Sequence, residues 1–170
     1  MNKCKNNIIL IGMPGSGKST IGRVLADKLK MIFIDSDLYI EEKKGCSINE
    51  LFAFGEESFR DIETITQKEL LQRQGIVLAT GGGVIKKSEN VNLLRKSGLV
   101  VFINRDVENI IKDIDISCRP LIKKDIRKLY TLYEERYDLY KKCCHIAINN
   151  NSSIEECIIN IISQIENQLD

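Results

Sequence analysis

Gly12-Met13-Pro14-Gly15-Ser16-Gly17-Lys18-Ser19 matches the spacing G-x-x-x-x-G-K-[ST] in full. It lies between the apolar run Ile8 to Ile11 and a stretch from Lys18 to Lys30 whose apolar residues Ile21, Val24, Leu25 and Leu29 fall at helical spacing. Such a loop works only where a strand hands over to a helix. Its glycines let the backbone curl so that N–H groups face an anion, and the helix N-terminus adds partial positive charge. The motif therefore commits this part of the chain to a strand–loop–helix unit that holds phosphate. Gly15, Ser16, Gly17, Lys18, Ser19 and Thr20 form the expected ATP-binding set. Lys18 is expected to reach the β- and γ-phosphates, and the Ser19 hydroxyl to ligate Mg²⁺.

The rest of the chain keeps the same alternation. Further strands are expected at 31–34, 76–79, 99–103 and 145–148. Helices are expected at about 38–44, 56–73, 88–96, 106–112, 125–141 and 153–168. Strands alternating with helices imply crossovers and a buried sheet. The predicted fold is a three-layer α/β/α P-loop NTPase domain around a five-stranded, mostly parallel sheet. Ligands in such sheets bind beyond the carboxyl ends of the strands, and three strands end at Gly12, Asp35 and Gly81.

Composition narrows the class. The 170 residues fit one domain spanning 1–170, and the formal net charge of +1 invites neither nucleic acid nor an anionic membrane. No apolar run approaches a membrane span or a signal peptide, so a cytoplasmic protein is expected; a monomer is expected as well. The six cysteines form no C-x-x-C pair, and reduced thiols are expected, with Cys143 and Cys144 as strand residues. No N-K-x-D run is present to read guanine. Asn104-Arg105-Asp106 echoes it only with the wrong spacing.

Three further groups carry chemistry. Asp35-Ser36-Asp37 follows the second strand. On an extended segment residues two apart share a side, so both carboxylates are expected to face the phosphate loop. One would serve Mg²⁺ and the other would orient an attacking hydroxyl, while a helix N-cap role competes for Asp37. Thr80-Gly81-Gly82-Gly83 opens the backbone to a small ligand. Arg60, Arg119 and Arg136 offer forks for a carboxylate or phosphate.

Taken together, GMPGSGKSTIGR at 12–23, DSD at 35–37, GEESFRDIE at 55–63, ATGGG at 79–83, CRPL at 118–121 and the Arg136-Tyr137 region make the chain resemble the shikimate kinase family over nearly its whole length. The resemblance implies an enzyme that moves the γ-phosphate of ATP to the 3-hydroxyl of shikimate in aromatic amino acid biosynthesis, giving shikimate 3-phosphate and ADP, with Mg²⁺ as cofactor. It implies a nucleoside-monophosphate-kinase-like arrangement, with a shikimate-binding region at about 37–63 and a lid at about 113–124. Asp37 would be the base or orienting group, and Lys18 and Arg119 the charge-stabilising catalytic residues. Arg60 and Arg136 would clamp the carboxylate, and Gly81, Gly82 and Gly83 would approach the ring. Asp35 and Ser19 would serve the metal, and Asn151 to Ser153 and Lys112 would lie near adenine. Residues 113–124 also fit a plain surface loop. The rival functions are another small-metabolite kinase, such as a gluconate kinase, and a non-catalytic nucleotide-binding switch.

Overall fold

The computed structural model describes residues 7–113 and 126–166. Five strands form one sheet in the order β2-β3-β1-β4-β5. They are β1 (Asn7–Ile11), β2 (Ile32–Asp35), β3 (Ile76–Ala79), β4 (Gly98–Asn104) and β5 (Ile146–Asn149). Every pairing is parallel. The chain runs from β1 to the edge strand β2, returns to β3 beside β1, and then crosses to β4 and β5 on the other side; the strand order reverses direction at β1, which leaves a crevice at its carboxyl end.

Helices cover both faces because each strand alternates its side chains between them. Ile8 and Leu10 of β1 join Val77, Val101 and Ile103 in a core beneath α1 (Lys18–Leu29) and the closing helix. Ile9 and Ile11 join Val100, Phe102, Leu94 and Tyr140 on the other face. The remaining helices are α2 (Ser36–Lys44), α3 (Ile48–Ala53), α4 (Glu56–Leu70), α5 (Ser88–Ser97), α6 (Val107–Asp113), α7 (Arg127–Cys143) and α8 (Ile154–Glu166). A 3-10 turn at Val84–Lys86 follows the glycine triplet. Among the described residues, no helix is long and apolar enough to cross a membrane.

Two local features depart from the sequence reading. Cys143 ends α7 and Cys144 follows it, so neither is a strand residue. Arg95 Nη1 donates to the Lys142, Cys143 and Cys144 carbonyls at 3.1, 3.0 and 3.1 Å, capping a helix that ends two residues later than expected. Helix α3 was not anticipated. Ser47 and Glu50 close a capping box: the Glu50 amide donates to Ser47 Oγ at 3.2 Å, and the Ser47 amide donates to Glu50 Oε2 at 2.7 Å. Helices α2, α3 and α4 pack through Ile40, Leu51 and Phe59 into a small satellite core. That core positions the face of α4 that carries Arg60.

Candidate active site

The phosphate loop is shaped from both sides. Gly17 caps α1 with φ 96°, a left-handed conformation that favours glycine, and a Cβ there would lie 2.8 Å from Asn150 Nδ2. Asn150 is buried at the end of β5 and donates through Nδ2 to the Ser16 carbonyl at 2.9 Å. Lys18 is buried and folds back, donating from Nζ to the Gly12 and Met13 carbonyls at 2.9 and 2.8 Å. Gly15, Gly17, Lys18, Ser19 and Thr20 line one side of a cavity of about 370 Å³, which Arg105, Asp113, Asn150 and Ile154 close from the other.

The two aspartates divide their work differently from the extended-strand expectation. Asp35 is the N-cap of α2: its Oδ1 accepts from the Asp37 and Leu38 amides at 3.0 and 3.3 Å. Its other oxygen, Oδ2, accepts from Ser19 Oγ at 2.5 Å, beside the phosphate loop. Asp37 is thus not the cap. It sits in the first turn of α2 because the helix begins at Ser36, two residues earlier than its periodicity suggested. Its Oδ1 is buried without a hydrogen-bond partner. Burial first, and the Asp35 charge second, push its carboxyl above the usual carboxylate range, against opposing pulls from Lys18 and Arg60.

Each glycine of the triplet faces a different group. A Cβ on Gly81 would lie 2.7 Å from Asp37 Oδ1 and 2.9 Å from Glu63 Oε1. One on Gly82 would strike Pro14 of the phosphate loop at 2.7 Å, and one on Gly83 would overlap the Arg60 guanidinium. The triplet is therefore the floor on which Asp37, Arg60 and the phosphate loop converge. Arg60 is buried on α4. It donates from Nη1 to Glu63 Oε2 at 2.7 Å and from Nε and Nη2 to Glu56 Oε1 at 3.3 Å each, and it lies over the Phe52 and Phe59 rings. Arg136 Nη1 donates to the Gly82 carbonyl at 3.3 Å, and the Tyr140 hydroxyl donates to the same oxygen at 2.5 Å.

The structure thus gathers Lys18, Ser19, Asp35, Asp37, Arg60, Gly81, Gly82, Gly83 and Arg136 beyond the carboxyl ends of β1, β2 and β3. Arg119 and residues 114–124 of the expected lid lie outside the described residues. Asp113, its first residue, closes α6. Lys112 is exposed on α6, and Asn151 Oδ1 accepts from the Asp106 amide and from Asn109 Nδ2 at 2.9 and 3.2 Å.

Sequence reasoning assigned no role to Glu63, Tyr140 or Asn150. Glu63 is fully buried. Burial raises its pKa first, the Arg60 charge opposing, and Oε1 has no partner. The Glu56, Arg60 and Glu63 spacings of four and three residues were a readable signal for a pair network on one helix face. Tyr140 follows Tyr133 and Tyr137 at helical spacing on α7, and its ring and that of Tyr137 pack on Phe102. Asn150 carried no signal.

Comparison with known proteins agrees with this geometry. The family model described as shikimate kinase matches residues 14–166. A shikimate kinase of Clostridium botulinum (strain Eklund 17B / Type B) is 54% identical over 154 residues, covering 91% of this chain and 93% of the relative. The structure of shikimate kinase from Acinetobacter baumannii in complex with shikimate superimposes with a TM-score of 0.90 at 36% identity, covering 96% of this chain and 94% of that one. A gluconokinase from Sinorhizobium meliloti 1021 reaches only 0.61 at 14% identity and shares the fold alone. A phosphate loop facing a buried arginine and carboxylate across a glycine floor, together with these matches, places the chain in the shikimate kinase family.

Proposed function

We propose that Asp37, Arg60, Arg136 and the glycine triplet hold shikimate while the phosphate loop holds ATP, so that a shikimate hydroxyl attacks the γ-phosphorus in line. The observation that carries this reading is the shared floor: Gly82 packs on Pro14 of the phosphate loop, while Gly81 and Gly83 pack on Asp37 and Arg60. Donor and acceptor sites therefore meet at one backbone segment.

Phosphoryl transfer needs little covalent help from protein. Positioning and charge stabilisation supply most of the rate. The Lys18 ammonium, now on the loop carbonyls, would turn to the β- and γ-phosphates. Arg60 and Arg136 would take the acceptor's carboxylate as forks. Asp37 would accept a hydrogen bond from the attacking hydroxyl and take its proton as the new P–O bond forms; its raised pKa suits it to that task.

The residues fit Mg²⁺. Ser19 Oγ and Asp35 Oδ2 are hard oxygen donors side by side. That suits an ion held by one carboxylate, a hydroxyl, water and substrate phosphates. Such an ion would neutralise charge on the β- and γ-phosphate oxygens. Arg119 is proposed as a further phosphate contact from the family resemblance alone.

The carboxylate assignment is tested by comparing shikimate with its methyl ester as acceptors. Loss of the forks should raise KM by about 10²-fold with little change in the KM for ATP. Equal use of both acceptors would remove Arg60 and Arg136 from the carboxylate site.

A further inference from the structure

Arg105 is the first residue after β4, and three contacts set that strand end against the phosphate loop. A Cβ on Gly12 would lie 2.5 Å from the Ile103 carbonyl. The Asn104 carbonyl accepts from the Asn150 amide at 2.7 Å, and Asn150 in turn holds the Ser16 carbonyl. Arg105 then turns its side chain into the cavity that Gly15, Gly17, Lys18 and Thr20 line.

Two described cations line that cavity, Lys18 and Arg105, with a single carboxylate, Asp113. Arg105 Nη2 pairs with Asp113 Oδ2, and Nε is buried without an acceptor. The Arg105 side chain is 18% exposed and that of Asp113 is 59% exposed. The guanidinium is thus held inside by a partner that stands mostly in water. A pair with one partner so open to water holds only weakly. A phosphate offers the fork a bidentate, doubly charged acceptor, which is the stronger arrangement.

We propose that Arg105 is a further nucleotide-binding residue: it exchanges Asp113 for the phosphate chain of the bound nucleotide. Asp113 is the placeholder that keeps the guanidinium oriented toward the cavity when it is empty. The inference rests on the ATP-dependent reading above and adds one residue to it.

The opposite signs expected for two substitutions test it. ADP binding is measured by titration calorimetry on the full chain, with adenosine competition as the phosphate-free control. Arg105→Gln should weaken ADP by about tenfold and leave adenosine unchanged. Asp113→Asn should tighten ADP by about two- to fivefold, because the competing carboxylate is gone. Unchanged ADP binding in Arg105→Gln would overturn the inference. So would weakening of ADP by both variants, which would mark the pair as a structural clasp. Wild-type protein that binds ADP while Arg105→Gln matches it removes Arg105 alone. Wild-type protein that does not bind ADP removes the nucleotide reading as well.

Discussion

The Tyr140 hydroxyl donates to the Gly82 carbonyl at 2.5 Å, from a ring that is 1% exposed and stacked on Phe102 with centroids 5.0 Å apart. Burial pushes this phenol up to about 12, so it remains a donor throughout the working range. Arg136 donates to the same oxygen from one turn earlier on α7. Tyr140 thereby fixes the glycine floor and the register of Arg136 at once. Tyr140→Phe keeps the ring and removes the donor. We expect a stability loss of about 1 kcal/mol, seen as a Tm lower by about 2–4 °C, with a higher shikimate KM and an unaltered ATP KM. Unchanged Tm and KM would show that the bond contributes nothing.

Gly83 separates steric from conformational reasons for a glycine. Its backbone (φ −100°, ψ 1°) accepts alanine, but the new Cβ would displace the Arg60 guanidinium, which Glu56 and Glu63 hold. Gly83→Ala should raise the shikimate KM by about tenfold or more, the loss of one charged hydrogen-bond set. Gly45→Ala is the control. That glycine has open space around it but φ 69°, so alanine should lower stability by about 1 kcal/mol and leave both KM values alone. Equal kinetic effects from the two would contradict the packing argument.

Asp37→Asn removes a buried carboxylate whose Oδ1 has no partner. We expect turnover to fall by on the order of 10²–10⁴ while Tm at neutral pH rises, because a desolvated charge is replaced by a neutral amide. Near-normal turnover would take Asp37 out of the chemistry.

His145 is the chain's one histidine, and its Nδ1 accepts from the Val100 amide at 3.0 Å. Only the neutral ring can do so. Partial burial first, then the Arg95 charge, hold its pKa below the ordinary 6.5. With the folded value depressed, the unfolded chain binds more protons as pH falls. The stability from this contact is therefore present above 6.5 and lost as pH drops through the folded pKa. Thermal unfolding between about pH 7 and pH 5 should show a downward slope in wild type that His145→Ala lacks. Parallel slopes would assign the loss to other groups.

The strand–loop–helix order was legible because a buried parallel sheet needs uninterrupted apolar runs such as Ile8 to Ile11, and the phosphate loop announces its own context. Strand periodicity singles out both Asp35 and Asp37 but does not say which of them caps α2, a role that Asp35 takes. One cap residue shifts a helix start by two positions, and which aspartate takes the role depends on tertiary fit. Glu63 stayed hidden because a charged residue on an amphipathic helix defaults to solvent, whereas here α4 turns it inward against Arg60 and Asp37. Asn150 and Tyr140 act through long-range hydrogen bonds, and no local pattern records those. Helix α3 was readable from Ser47 and Glu50, whose three-residue spacing is a start signal even for six residues.

In the proposed function, the phosphate loop and the Asp37–Arg60–Arg136 pocket form one reaction site. Its most direct test is ADP release from Mg·ATP by the full chain, with and without shikimate. Slow release alone and a large, saturable stimulation by shikimate, with stoichiometric shikimate phosphate, are expected. ATP binding with no stimulation by shikimate would contradict it.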